Sequence, residues 1–181
     1  MAALLVMVAR ESPDASAQPE VAAVQPADDG LPPDISSMSP RERFNRLYNR
    51  VMQAAQSGDE ASVSRFTPMA LLAYAQLDTV DADARYHAAL LQAHTGEIDA
   101  AGALADSILA GDPGHLFGYV VRGTVARFRK DQEALNQAYS AFLKRFDSEM
   151  KRGRPEYAEH RTSVDGFRRA ALSAKTPGGG S

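Results

Sequence analysis

From Ser39 onward the apolar residues return every three or four positions, the spacing of one helix face. Phe44, Leu47, Tyr48, Val51 and Met52 make the first such face. Ser39-Pro40-Arg41-Glu42 precedes it, placing an N-cap serine, a proline in the first turn and a glutamate three residues after the cap. That pattern is a capping box, in which serine and glutamate satisfy two of the amide groups that a helix start leaves free. The helix is predicted to end at Ser57-Gly58, and Asp59 caps the next. This second helix runs through Val63 and Phe66 toward Leu72 and Leu77, with Pro68 expected as a kink or break. Asp81 opens a third helix, with Tyr86, Ala89, Leu90 and Ala93, which stops at Thr95-Gly96. Ile98, Ala101, Leu104, Ala105, Ile108 and Leu109 line a fourth. Gly111-Asp112-Pro113-Gly114 ends that pair, and Asp112 is expected to cap a fifth helix presenting Phe117, Tyr119, Val121, Thr124, Val125 and Phe128. Beyond Arg129-Lys130-Asp131, a sixth carries Ala134, Leu135, Ala138, Tyr139, Phe142, Leu143 and Phe146. Arg154-Pro155-Glu156 then opens one closing helix with Tyr157, Val164 and Phe167. No segment of this stretch alternates in the manner of a strand, so the expected class is all-α.

Composition sharpens that expectation. Alanine recurs in pairs such as Ala88-Ala89, Ala100-Ala101 and Ala170-Ala171, and tryptophan is absent. Alanine favours helix and lets two helices approach closely. The 181 residues suffice for one domain of ordinary size. Cysteine is absent, which removes disulfides, thiolate metal sites and cysteine nucleophiles together. Net charge is −3, and residues 1–40, with one basic and six acidic residues, hold −5 of it, leaving +2 for the rest. A nucleic-acid-binding domain carries a far stronger basic footprint, so no nucleic-acid partner is expected. Lys144, Arg145, Lys151, Arg152 and Arg154 gather near one helix end, but Asp147, Glu149 and Glu156 interrupt them. The group reads as a solvated helix end rather than an anion site.

Residues 1–10 begin with MAALLVMVA and form an apolar stub halted by Arg10. The stub is too short to span a bilayer, which takes roughly 20 apolar residues. Two readings stand: a frayed start, or the remnant of a membrane anchor. Residues 11–38, rich in Ala, Pro, Asp and Ser, read as a disordered acidic linker. Residues 39–174 form the helical domain, and 175–181 a Gly-rich disordered tail. Compartment is left between a membrane-tethered envelope domain and a cytoplasmic one.

Gly96 and Lys130, each at the turn inside a helix pair, stand 34 residues apart. A helix-turn-helix unit of that period resembles the tetratricopeptide repeat family. Residues 82–115 are similar to one repeat, with Gly96 at the turn, Ala101 at the small crossing position and Pro113 closing the unit. Residues 116–146 are similar to a second, with Tyr119 at the large aromatic position, Gly123 beside it and Ala134 at the crossing. Residues 40–77 make a degenerate first pair. Ala89 stands where the first repeat's small glycine belongs, and Arg122 where a buried leucine is usual. The resemblance implies antiparallel helix pairs stacked as a short right-handed solenoid with a C-terminal capping helix, whose polar outer face ends the stack.

It also implies a concave groove lined by the first helix of each pair. That groove would show Tyr86, Leu90 and His94 from one repeat and Phe117, Val120, Thr124 and Arg127 from the next. The carboxylate-gripping Lys and Asn of one family subclass are missing: Tyr86, Leu90 and Val121 occupy their places. An apolar groove with an arginine rim suits a helix or extended peptide of another protein. The leading functional reading is therefore a protein-binding scaffold or adaptor. The alternatives are a structural subunit of a membrane-associated assembly, held through the N-terminal anchor, or a helical domain with metal-dependent activity. Only Asp83, His87 and His94 resemble metal ligands in spacing, and surface histidines are the plainer reading, as they are for His115 and His160. No phosphate loop, nucleophile elbow or paired-carboxylate motif is visible, so no enzyme, no metal and no cofactor is expected.

Overall fold

The computed structural model describes residues 38–175. The apolar stub, the linker up to Ser37 and the tail after Lys175 lie outside the described residues. Eight helices and no strand form among them: α1 (Pro40–Ser57), α2 (Glu60–Ala75), α3 (Ala82–His94), α4 (Ile98–Gly111), α5 (Leu116–Arg129), α6 (Gln132–Lys151), α7 (Pro155–Glu159) and α8 (Arg161–Lys175). None of the described helices is long and apolar enough to cross a membrane.

The local signals set most of these boundaries. Ser39 accepts from the Glu42 amide while the Glu42 carboxylate accepts from the Ser39 amide at 3.0 Å, the reciprocal box that starts α1. Asp59, Asp81 and Asp131 each accept a backbone N–H three residues on and start α2, α3 and α6. Asp112 does not cap α5: its carboxylate takes the Gly114 N–H at 2.9 Å, and His115 is the N-cap instead. Pro68 does not break α2, because the helix continues through it to Ala75.

One turn recurs inside the first three pairs. Gly58, Gly96 and Lys130 all take positive φ, at 74°, 85° and 55°. In each case the next amide reaches back 2.9 Å to the carbonyl five residues earlier, Asp59 to Ala54, Glu97 to Gln92 and Asp131 to Ala126. This is the Schellman closure, and an acidic residue follows it every time to start the partner helix. Glu97 alone makes no side-chain cap. Lys130 is the only non-glycine with positive φ among the described residues, and its Cβ opposes that conformation. Lys130→Gly is therefore expected to raise the unfolding free energy by about 0.5–1 kcal/mol. Urea unfolding measures it, and an unchanged or lowered midpoint would count against the assignment.

Packing runs from neighbour to neighbour: α1 on α2, α3 on α4, α5 on α6, with α3 and α4 against α5, and α8 on α6 and α5. One core cluster unites Phe44, Leu47, Val51 and Phe66 with Ala84, Ala88 and Leu91 of α3. The second joins Tyr86, Ala89 and Ala93 of α3 with the helices that follow. Helix α3 thus buries two faces, which its alanines permit, and Leu90 and Leu104 touch both clusters. Two apolar positions expected inside are not: Phe128 is 54% exposed and Leu72 62%.

The closing helix differs most from expectation. It is two helices, broken at His160, whose φ of −103° and ψ of 27° end α7. Val164, Phe167 and Ala171 of α8 are buried. A Cβ on Gly123 would stand 2.4 Å from the Phe167 ring, so α8 lies directly on α5 at this glycine.

Candidate functional site

The first helices of the three pairs share an aromatic strip. Tyr48 of α1 stacks on His87 of α3 with ring centroids 3.8 Å apart, and Tyr86 of α3 stacks on Phe117 of α5 at 4.2 Å. Segment 155–167 lies across that strip. His160 sets its ring edge against His87, Tyr86 and Phe117, and Tyr157 sets its edge against Phe117 and His115. Phe167 meets Tyr139 and Phe142.

The residues expected to line an open groove are placed accordingly. Tyr86, Phe117 and Val120 are buried, the first two beneath the chain's own segment, because their large apolar rings are covered intramolecularly. Leu90 and Thr124 are half-buried, and the Thr124 hydroxyl donates to the Val120 carbonyl. His94 is exposed, with its Nδ1 2.8 Å from the Leu90 carbonyl oxygen. Arg127 donates to the Tyr139 hydroxyl at 2.8 Å and its guanidinium lies over the Phe167 ring.

A polar network fixes the start of the covering segment. The Tyr157 hydroxyl accepts from the Leu116 amide and donates to Glu149 Oε2, both at 3.0 Å. Glu149 is buried within α6, where Arg152 donates to its Oε1 and Arg154 to its Oε2. Both arginines also pair with Asp112. Of the basic group read as solvated, Lys144, Arg145 and Lys151 are exposed, while Arg152 and Arg154 are tied to these two carboxylates. Burial lowers the pKa of His115, against the opposing pull of its hydrogen bond to Glu156.

Beside this network the His160 break brings three donor groups together. Its Nε2 lies 2.9 Å from His87 Nε2 and 3.0 Å from Asp83 Oδ1. His87 Nε2 stands 3.6 Å from Asp83 Oδ1, too long for a hydrogen bond. The other His87 nitrogen, Nδ1, is buried without a partner. Burial pushes the His87 pKa down to about 4, outweighing Asp83, so the ring is neutral near pH 7. Burial alone would raise the Asp83 carboxyl, but the hydrogen bond from His160, with His87, His160 and Arg41 nearby, holds it below the usual range. Helical spacing on α3 brings Asp83 and His87 to one face, with His94 further along it. The third member is His160 and not His94, which points elsewhere from the last turn of α3. No local pattern marks His160, since it stands 77 residues from Asp83 in the chain.

Among the described residues the only group of three or more His, Asp or Glu side chains whose ligand atoms all lie within 4.8 Å of one another is Asp83, His87 and His160. A search of family models, curated proteins and solved structures found no match to this chain.

Proposed function

We propose that this chain is an interaction module of the tetratricopeptide type, binding a helix or peptide of another protein on the face made by α1, α3 and α5, with no catalytic role. Segment 155–167 is then the resident occupant of that face. The observation carrying this reading is the aromatic strip, Tyr48–His87 and Tyr86–Phe117, with a short helical segment laid across it. A surface that holds α7 and the start of α8 has the chemistry to hold a similar segment supplied in trans. The recurrent turn at Gly58, Gly96 and Lys130 supports a tandem of equivalent helix pairs.

The reading predicts competition. A tethered segment acts at roughly millimolar effective concentration, so a free copy binds poorly while the internal one is seated. A labelled peptide of residues 152–175 is expected to bind full-length Tyr157→Ala/Phe167→Ala at least about tenfold more tightly than wild type, read by fluorescence anisotropy. If the folded double variant, checked by circular dichroism, takes up no peptide, the face is not a docking surface.

A further inference from the structure

We infer that Asp83, His87 and His160 form a binding site for one divalent transition-metal ion of the zinc class, which clamps the α7–α8 junction onto α3. This departs from the expectation that the chain holds no metal. It stands independently of the interaction reading, because it concerns only the contents of the cluster and the attachment of the covering segment.

Valence carries the argument. His160 Nε2 has two neighbours at hydrogen-bond distance, His87 Nε2 at 2.9 Å and Asp83 Oδ1 at 3.0 Å. An imidazole nitrogen offers one in-plane position, either a proton or a lone pair. If it carries the proton and donates to Asp83, His87 Nε2 loses its single close partner. If it presents the lone pair to a proton on His87, that same lone pair faces the carboxylate and repels it. No tautomer gives each of the three atoms a linear hydrogen bond of its own; at best a single His160 proton is shared between Asp83 and His87, whose ring is buried with its Nδ1 unpartnered. A cation between them lets each of the three direct a lone pair at it.

Distance agrees with valence. Zinc bonds to nitrogen and carboxylate oxygen of about 2.0–2.2 Å place tetrahedral ligand atoms about 3.3–3.6 Å apart. Of the three separations here, 3.6 Å reaches the upper end of that spacing, while 2.9 and 3.0 Å fall short of it by a few tenths of an ångström, a gap that a small shift of the His160 ring closes. Two imidazoles with one carboxylate favour zinc, cobalt or nickel over magnesium or calcium, which want oxygen alone.

Access comes from the surface. A cleft of about 410 Å³ opens beside Asp83, and its walls include Asp81, Glu156 and Glu159 with Arg41 as the one basic residue. Such a cleft concentrates cations and leaves room for water as a fourth ligand. The ligands come from two places in the chain, Asp83 and His87 from α3 and His160 from the break after α7. Coordination therefore holds the covering segment down, and removing the metal loosens it.

Full-length protein stripped with a chelator and titrated with zinc chloride is expected to bind one equivalent with micromolar or tighter affinity and to melt at a higher temperature. Asp83→Asn and His160→Gln are expected to weaken that binding by about a hundredfold, while His94→Ala leaves it unchanged. A long-range nitrogen–proton spectrum of wild type needs no variant: zinc should shift the ring nitrogens of His87 and His160 and spare those of His94 and His115. Absence of stoichiometric binding overturns the inference, as does zinc that shifts His94 instead or binds both variants as it binds wild type.

Discussion

Glu149→Ala is expected to lower the unfolding free energy by about 3 kcal/mol, the low end of the cost of breaking a buried ion pair. Glu149 is buried, and its carboxylate accepts from Arg152, Arg154 and the Tyr157 hydroxyl. Alanine leaves the Tyr157 hydroxyl, itself held against the Leu116 amide, without its acceptor in a dry site. The arginines lose less, since both retain Asp112. That is why the low end of the range applies. Arg152→Ala is the comparison: its side chain is 51% exposed, so its loss should cost much less than that of Glu149. Urea unfolding of both variants decides the matter. A Glu149→Ala cost no larger than that of Arg152→Ala would mean that the network is ornamental.

Acid should destabilise the metal-free protein well before its carboxylates titrate. His87 in the folded state has its pKa pushed down to about 4, while in the unfolded chain it returns to about 6.5. Between these values the unfolded chain binds a proton that the native state refuses, so stability rises with pH across this window and falls as pH drops through it. The gap of about 2.5 pH units corresponds to about 3 kcal/mol, lost progressively between pH 6.5 and 4. His115, also depressed by burial, adds in the same direction. The groups facing His87 are Asp81 and Asp83 at the start of α3, Arg41 and Tyr48 from α1, and His160 from the covering segment. Asp83 works at lower pH, because a depressed carboxyl loses its contribution only as pH falls through its folded value. Urea midpoints at pH 7.5, 6 and 5 with chelator present should drop steeply, and His87→Phe should flatten the profile. A profile as steep in the variant would assign the effect to other groups.

Sequence spacing put Asp83, His87 and His94 along one face of α3, whereas the side chain that meets the first two is His160. Asp83 and His87 lie one turn apart on α3, and helical periodicity brings such residues to one face. His94 shares that periodicity in one dimension, yet it is exposed at the helix end. His160 became the partner through a break in what reads as a continuous helix. The groove residues show the same division. Tyr86 and Phe117 fall at groove positions of two successive first helices, and they stack, but what covers them comes from segment 155–167. The basic residues near Glu149 read as solvated because charge interruptions along a chain say nothing about which acid is buried.

The helix starts and stops from α1 to α6 were decided locally. The bonds that set them, Ser39 with Glu42, Asp59 with Ser62 and Asp131 with Ala134, span three residues, and a chain carries them whatever its tertiary surroundings. The 34-residue return of the turn from Gly96 to Lys130 is likewise written along the chain. Tertiary structure alone decided the break at His160, the burial of Glu149 and the meeting of His160 with Asp83 and His87. Those contacts join groups up to 77 residues apart, and their energies depend on which water is excluded, a property that exists only once the helices have packed.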